Sequence, residues 1–475
     1  MEAKVKQIDI SSVIFLFLGM FITVWANTSI KIMLPDIMTE YSVQINWLSW
    51  VNNAYSLPYA VLMPFAGKIG DVFGAKRFFL IGMLVLSIGA GLCVVDSAFW
   101  MVLAGRLMQG IGAAFVYTNG LILLLETTPE QRRGSVLGWW SSFIMAGAVA
   151  GPVFAGFLLE VISWHTVFLV VLFLALANFA GAIFKVKEKT HLSSSRSFDF
   201  SGAVTLISGI SLLLLALTMG PDWGWFNPFV IAMDVSGILL LYIFYLVEKN
   251  VDSPMVSLHL FREKHFSAAM VAGFINNFTV IGTIFVMPIF LQLVRGFRPS
   301  EVALVLAPVA FAAAVVGPFG GWISDRLGFF PPIGFGMLLR GLSFLMLSWL
   351  SPVSGFIFML ITLFINGVGL GFTASPTLNA AVSVSENGEY GMTAGLYSMV
   401  QYIGGAVGVS ITSVIVYSRV PSPEALKTMT TSVPGFSHSF VFLAGLCVAG
   451  FLVSLAMRTE KSYRTARRKT NAPNA

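Results

Sequence analysis

Pro64-Phe65-Ala66-Gly67-Lys68-Ile69-Gly70-Asp71-Val72-Phe73-Gly74 returns 254 residues later as Pro318-Phe319-Gly320-Gly321-Trp322-Ile323-Ser324-Asp325-Arg326-Leu327-Gly328. Pro, Phe, Gly, Ile, Asp and Gly coincide at one offset. A second echo sits at a near-equal offset: Gly134-Ser135-Val136-Leu137-Gly138 returns as Gly391-Met392-Thr393-Ala394-Gly395. Two echoes in the same order mean that one multi-helix unit was duplicated.

The sequence around these echoes is apolar. Of 475 residues 57% are hydrophobic and 11% charged, where a soluble domain carries roughly 25% charged residues. That deficit excludes an ordinary soluble enzyme, a disordered chain and a nucleic-acid binder. A bilayer span takes about 20 apolar residues. Long unbroken apolar runs, rather than alternating strands, exclude a barrel. The runs predict fourteen helical spans at about 11–33, 47–66, 78–96, 99–125, 135–159, 164–184, 200–220, 227–247, 266–293, 301–322, 331–350, 354–378, 391–417 and 437–457. The fold class is therefore an all-α polytopic membrane protein.

An even count puts both ends on one side. Of the 28 Lys and Arg, 21 then fall on that side, four on the other and three inside spans. The bias makes the shared side cytoplasmic, and it accounts for the net charge of +6 without a nucleic-acid partner. The expected host is the cell (inner) membrane, with lipid as the one structural partner. The first helix reads as uncleaved, because no small-residue site follows it. The polar break Lys185–Gly202 and the linker Glu248–His265 divide the chain. The expected domains are a six-helix bundle at 1–190, a two-helix insert at 199–250, a second six-helix bundle at 262–460 and a basic tail at 461–475. Cys93 and Cys447 both lie in apolar runs and form no disulfide framework or metal cluster.

Three stretches could carry function. The segment from Gly67 through Asp71 and Gly74 to Lys76 and Arg77 reads as the loop between helices 2 and 3. Its glycines permit a tight turn, and a carboxylate near a helix N-terminus is favoured by the dipole. It is either a gate latch, repeated at Asp325 and Arg326, or a plain cytoplasmic turn. Helix 4 carries Arg106-Leu107-Met108-Gln109-Gly110-Ile111-Gly112, with an arginine deep in a span, where it must face protein or a wet cavity. Helix 5 carries Gly147, Gly151, Pro152 and Gly156, a small-residue stripe with a kink-prone proline.

Together and in this order, these stretches resemble the major facilitator superfamily. They look most like its fourteen-helix drug:proton antiporter group. Leu34-Pro35, Trp50, Tyr55 and Phe198-Asp199-Phe200-Ser201-Gly202 are similar as well. The resemblance implies two six-helix bundles plus two extra helices. It also implies efflux of small amphipathic compounds driven by proton entry through alternating access, by a monomer, with no cofactor. By the same resemblance Asp71 is the gating carboxylate, Arg106 belongs to the proton-coupling machinery and the helix-5 glycines are the antiporter motif. The sequence departs from the group in helix 1, where Trp25-Ala26-Asn27-Thr28-Ser29-Ile30-Lys31 holds no carboxylate. It departs again at Val72, where an Arg is usual, and at Gly156-Phe157, where Gly-Gly is usual.

Asp234 on helix 8 is the one acidic residue placed well inside a span. It is either a proton site or a peripheral carboxylate. Against it stand Lys31, Arg106 and Arg340, and a net positive interior suits an anionic or zwitterionic solute. Cavity candidates are Trp25, Asn27, Lys31, Asn53, Tyr55, Tyr117, Asn119, Asn277 and Gln401, with Asn276 and Asn366 beside them. Each serves equally as a helix–helix hydrogen bond. An enzyme is not expected. The five histidines lie in loops or at span ends, so none ligates metal within the bilayer, and no phosphate-cradling loop exists.

Overall fold

The computed structural model describes residues 10–43, 45–95, 98–188, 198–251, 254–385, 389–418 and 434–458. The basic tail and the other expectations that fall beyond these ranges lie outside the described residues. The described chain is all helical. Its elements are α1 Ile10–Tyr41, α2 Ile45–Phe73, α3 Ala75–Val95, α4 Phe99–Thr127, α5 Arg133–Val161, α6 Trp164–Lys185 and α7 Phe200–Trp223. The second set comprises α8 Pro228–Glu248, α9 Lys264–Ile289, α10 Pro299–Leu327, α11 Phe330–Leu347, α12 Phe356–Ser383, α13 Tyr390–Tyr417 and α14 Pro434–Ser454. Thirteen are long and apolar enough to cross a membrane. The exception is α2, long enough at 29 residues but interrupted by Asn52, Asn53, Ser56 and two prolines.

Helices are what apolar solvent demands, because every backbone N–H must be satisfied within the segment. Prolines sit inside many of them, Pro64 in α2 and Pro318 in α10 at the repeated position. Large apolar side chains such as Phe173, Phe226, Val235 and Ile238 face outward, as a lipid-facing surface requires.

The helices form two compact units, each drawn from three stretches of chain. The first contains residues 1–129, 143–258 and 385–399. In it α4 packs on α3, α2 and α1, α6 on α3 and α1, and the α7–α8 pair on α2 through α7. The second contains residues 130–142, 259–384 and 400–475. In it α12 packs on α10, α11 and α9, and α14 on α11 and α9.

Several helices overrun their predicted spans, α1 and α2 the furthest. Helix α1 continues past Pro35 to Tyr41. Its end is held where the Trp164 indole donates to Glu40 (2.6 Å) and Tyr41 packs on Phe99 and Trp164. Helix α2 runs to Phe73, so the segment read as a loop is helical through Asp71. The reversal is confined to Gly74, whose φ of 104° strains any residue with a side chain, and its amide closes on Gly70 O at 3.0 Å. The repeat does the same: α10 runs to Leu327 and turns at Gly328, φ 92°.

Candidate functional site

The repeated carboxylates both cap helix ends, but not the ends expected. Asp71 is read from sequence as sitting near the start of α3. In the first unit it points at the start of α13 and accepts the amides of Gly391 (2.9 Å) and Met392 (2.8 Å). In the second unit Asp325 accepts the amides of Gly134 (2.7 Å) and Ser135 (2.8 Å) and the Ser135 hydroxyl (2.7 Å). The first turns of a helix carry unpaired N–H groups and a partial positive charge. A carboxylate held there satisfies both. The two sequence echoes are thus each other's partners: the end of α2 meets the start of α13, and the end of α10 meets the start of α5.

The close approach depends on glycine. A Cβ on Gly67 would overlap the Gly391 carbonyl, and one on Gly321 would overlap the Gly134 carbonyl. In the first unit Lys68 is 3% exposed and pairs with Glu389 at 3.3 Å. Further in, Ser398 of α13 donates to the Tyr117 hydroxyl (3.2 Å), and Asn119 donates to Ala66 O of α2 (3.1 Å). The other cations of the motif behave differently. Lys76 donates to Ile183 O (2.8 Å) while its amide bonds Glu188 (3.1 Å). Arg77 is exposed. Arg326 is exposed and lies over Trp322, 4.2 Å from the ring centroid.

Arg106 is fully buried in the first unit. Its Nε donates to Val51 O (3.1 Å), Nη1 to Ala26 O (3.1 Å) and Gln109 Oε1 (2.8 Å), and Nη2 to Asn27 Oδ1 (3.4 Å). Its guanidinium lies 4.5 Å from the Tyr55 ring centroid, and Tyr55 donates to Thr23 O (2.8 Å). Every acceptor is neutral, and no carboxylate among the described residues lies within ion-pair distance. The arrangement ties α1, α2 and α4 around one uncompensated positive charge. Lys31, one helical turn beyond Asn27, is exposed, and Asn53 is half-buried. Trp25 is buried, and its indole N–H has no hydrogen-bond partner among the described residues.

The second unit has a counterpart the sequence did not assign. Arg340, also fully buried, donates to Asn276 through its carbonyl and side-chain oxygens and to Thr279, while Thr373 donates to the same Asn276 side chain (2.9 Å). It ties α9 to α11 and α12. Nearby, Asn277 donates to Gln401 O (2.8 Å), joining α9 to α13.

The helix-5 residues pack rather than react. Gly147 and Gly151 let α5 close on α1, where Thr28 donates to Gly147 O (3.3 Å). Pro152 is internal to α5, and Gly156 borders open space. Asp234 is half-buried on α8 and is not brought to Arg106 by any contact. Among the described residues no group of three His, Cys, Asp or Glu could hold a metal ion.

Glu389 and the amides of Gly134 and Gly391 were missed by sequence reasoning. Backbone amides have no sequence signature, although the second echo marked their position.

A family model described as Major Facilitator Superfamily matches residues 16–409. The multidrug resistance protein Stp of Mycobacterium tuberculosis (strain CDC 1551 / Oshkosh) is 29% identical over 395 residues, covering 83% of this chain and 73% of that one. The tetracenomycin C resistance and export protein of Streptomyces glaucescens is 28% identical over 402 residues, covering 85% and 75%. Among solved structures, the human organic anion transporter MFSD10 (TETRAN) superposes with a TM-score of 0.69 at 15% identity, covering 94% of this chain and 99% of that one. That likeness concerns the fold.

Proposed function

The chain belongs to the major facilitator superfamily and is a multi-pass membrane transporter of small molecules, and from that premise we propose that it exports small amphipathic compounds in exchange for protons. Resistance and export relatives over more than four-fifths of the chain support the direction. The observation that carries the mechanism is the pair of carboxylate-capped helix ends. A contact made of two or three hydrogen bonds at a helix terminus is strong enough to hold one state and small enough to break. Alternating access needs such a contact, and any ligand or proton that favours one state shifts the balance. In this proposal Asp71 and Asp325 are the latch carboxylates, and Arg106 keeps the charge state of α1 and α4 poised. The protein works as a monomer in the cell membrane with both termini cytoplasmic, from two six-helix bundles at 1–190 and 262–460 and the insert at 199–250. Dye efflux from everted vesicles, with and without a collapsed pH gradient, tests the coupling. Export indifferent to the gradient refutes it.

A second reading, an organic anion or zwitterion as cargo, is favoured by one observation. Arg106 has only neutral partners, and exposed Lys31 follows Asn27 on the same face of α1. A substrate carboxylate would supply the missing charge. Lys31→Asn should then shift preference from anionic towards cationic dyes; an unchanged preference removes this reading.

A further inference from the structure

The latches and Arg106 leave one sequence motif unused, Phe198 to Gly202 at the start of α7, and one pair of helices, α7 and α8. The first unit joins them at a pair of acids. Asp199 caps α7: its Oδ1 accepts the Gly202 amide (2.9 Å) and the Ser201 hydroxyl (2.6 Å). Among the described residues its Oδ2 is buried with no hydrogen-bond partner, and the residue is 7% exposed. Glu248, the last residue of α8, is 4% exposed. Its Oε1 accepts the Met255 amide (3.0 Å) and its Oε2 the Val256 amide (3.4 Å), so the chain after α8 folds back over it. A Cβ on Gly202 would overlap both Asp199 Oδ2 and Glu248 Oε1. That point lies 2.3 Å from the orphaned oxygen of one acid and 2.7 Å from an oxygen of the other, so the two oxygens are at most about 5 Å apart. Asp199 precedes α7 and Glu248 is the last residue of α8, so both lie at span ends.

Two carboxylates this close, both shielded from water, cannot both ionise without strong repulsion. A buried acceptor without a donor is also costly. One proton answers both problems. We propose that Asp199 and Glu248 form a proton-binding site that holds a single shared proton, carried on one carboxyl and accepted by the other. No other bond changes, and the proton exchanges with solvent.

The neighbouring charges give the site a route to the latch. From α2, Lys68 acts on Glu248 and on Asp71, and its ammonium is bonded to Glu389, next to the start of α13. Lys249 is exposed. Phe198 is lodged against Phe65 and Phe73 of α2 and against Phe200, which fixes the pair beside the end of α2. When the shared proton leaves, a second negative charge competes with Glu389 for Lys68 and loosens the α2–α13 contact. The two extra helices thus bring a titratable group to the latch of a chain whose first helix has no carboxylate before Asp36. That purpose rests on the proposed proton coupling, but the site itself does not.

The test uses purified full-length protein in detergent, with no gradient, so it stands or falls separately from proton-driven export. Infrared difference spectra between acidic and alkaline buffer should show loss of a protonated-carboxyl band in the wild type. Asp199→Asn and Glu248→Gln should each remove the same component of that band, whereas Asp234→Asn should keep it. Asparagine caps a helix about as well as aspartate, and glutamine keeps an acceptor for Met255, so both variants should fold. A band undiminished in both variants, different components lost in the two, or that component lost on adding sodium at constant pH, as a metal-cation site would show, overturns the proposal.

Discussion

Asp71→Asn is the most direct perturbation of the latch. In the parent the carboxylate accepts two amides at 2.9 and 2.8 Å. Hydrogen bonds to a charged group contribute about 1.5–3 kcal/mol each, and a charge at a helix N-terminus adds about 0.3–1 kcal/mol. Asparagine keeps one carbonyl oxygen, hence one neutral bond worth about 0.5–1.5 kcal/mol. The net loss is about 3–5.5 kcal/mol. At about 1.4 kcal/mol per decade, the released population rises roughly 100-fold to several thousand-fold, until release dominates.

The assay is alkylation of a cysteine introduced by Ser398→Cys. Ser398 is 3% exposed and bonded to Tyr117, two turns along α13 from the Asp71 contact. Its sulfur is reached only when that end of α13 undocks. The native Cys93 and Cys447 are both buried, so the background is slow. When opening and closing are fast, the rate follows the open population. Asp71→Asn should raise it by at least about tenfold, and Asp71→Glu should fall between the two. A rate within about twofold of the parent, in a variant with unchanged helicity, would refute the latch.

Gly67→Ala places a methyl against the Gly391 carbonyl and should undock α13 as Asp71→Asn does, read by the same alkylation. Arg106→Lys cannot reach acceptors on α1, α2 and α4 at once, because an ammonium lacks the planar fork; vesicle transport should fall at least about tenfold while the protein still folds, and parental transport would remove Arg106 from the machinery. Arg340→Gln should instead lower the thermal midpoint with transport KM unchanged. Asn276 and Thr279 keep other partners there, so the loss is about 1–3 kcal/mol of tethering between α9, α11 and α12.

The sequence announced most of the fold because hydropathy and duplication act at the scale of whole helices. What it missed lies at helix ends. The apolar run of α2 stops near Ala66, yet the helix continues, because Gly67 and Gly70 offer a smooth face to α13 and to Asn119 of α4. Pro35 looks like a stop, and tertiary contacts at Glu40 and Tyr41 override it. The site was legible in part. Asp71, Asp325 and Arg106 are visible as charges where apolar residues are expected. Glu389 has no pattern of its own. Its relevance comes only from where Lys68 points.

The duplication copied the architecture of the latch but not its electrostatics. Lys68 in the first copy is Trp322 in the second, and Glu389 with its ion pair belongs only to the first. Asp325 gains the Ser135 hydroxyl as a third donor, and Ser375 donates to Gly134 O (3.1 Å) across the same contact. Asp71 has two donors; burial pushes its carboxyl up to about 8 against the pull of the Met392 and Gly391 amides, with Glu389 raising it and Lys68 lowering it by less. The two latches thus share a carboxylate seated on helix-end amides and differ in the side chains around it, and unequal contacts give a preferred order of release.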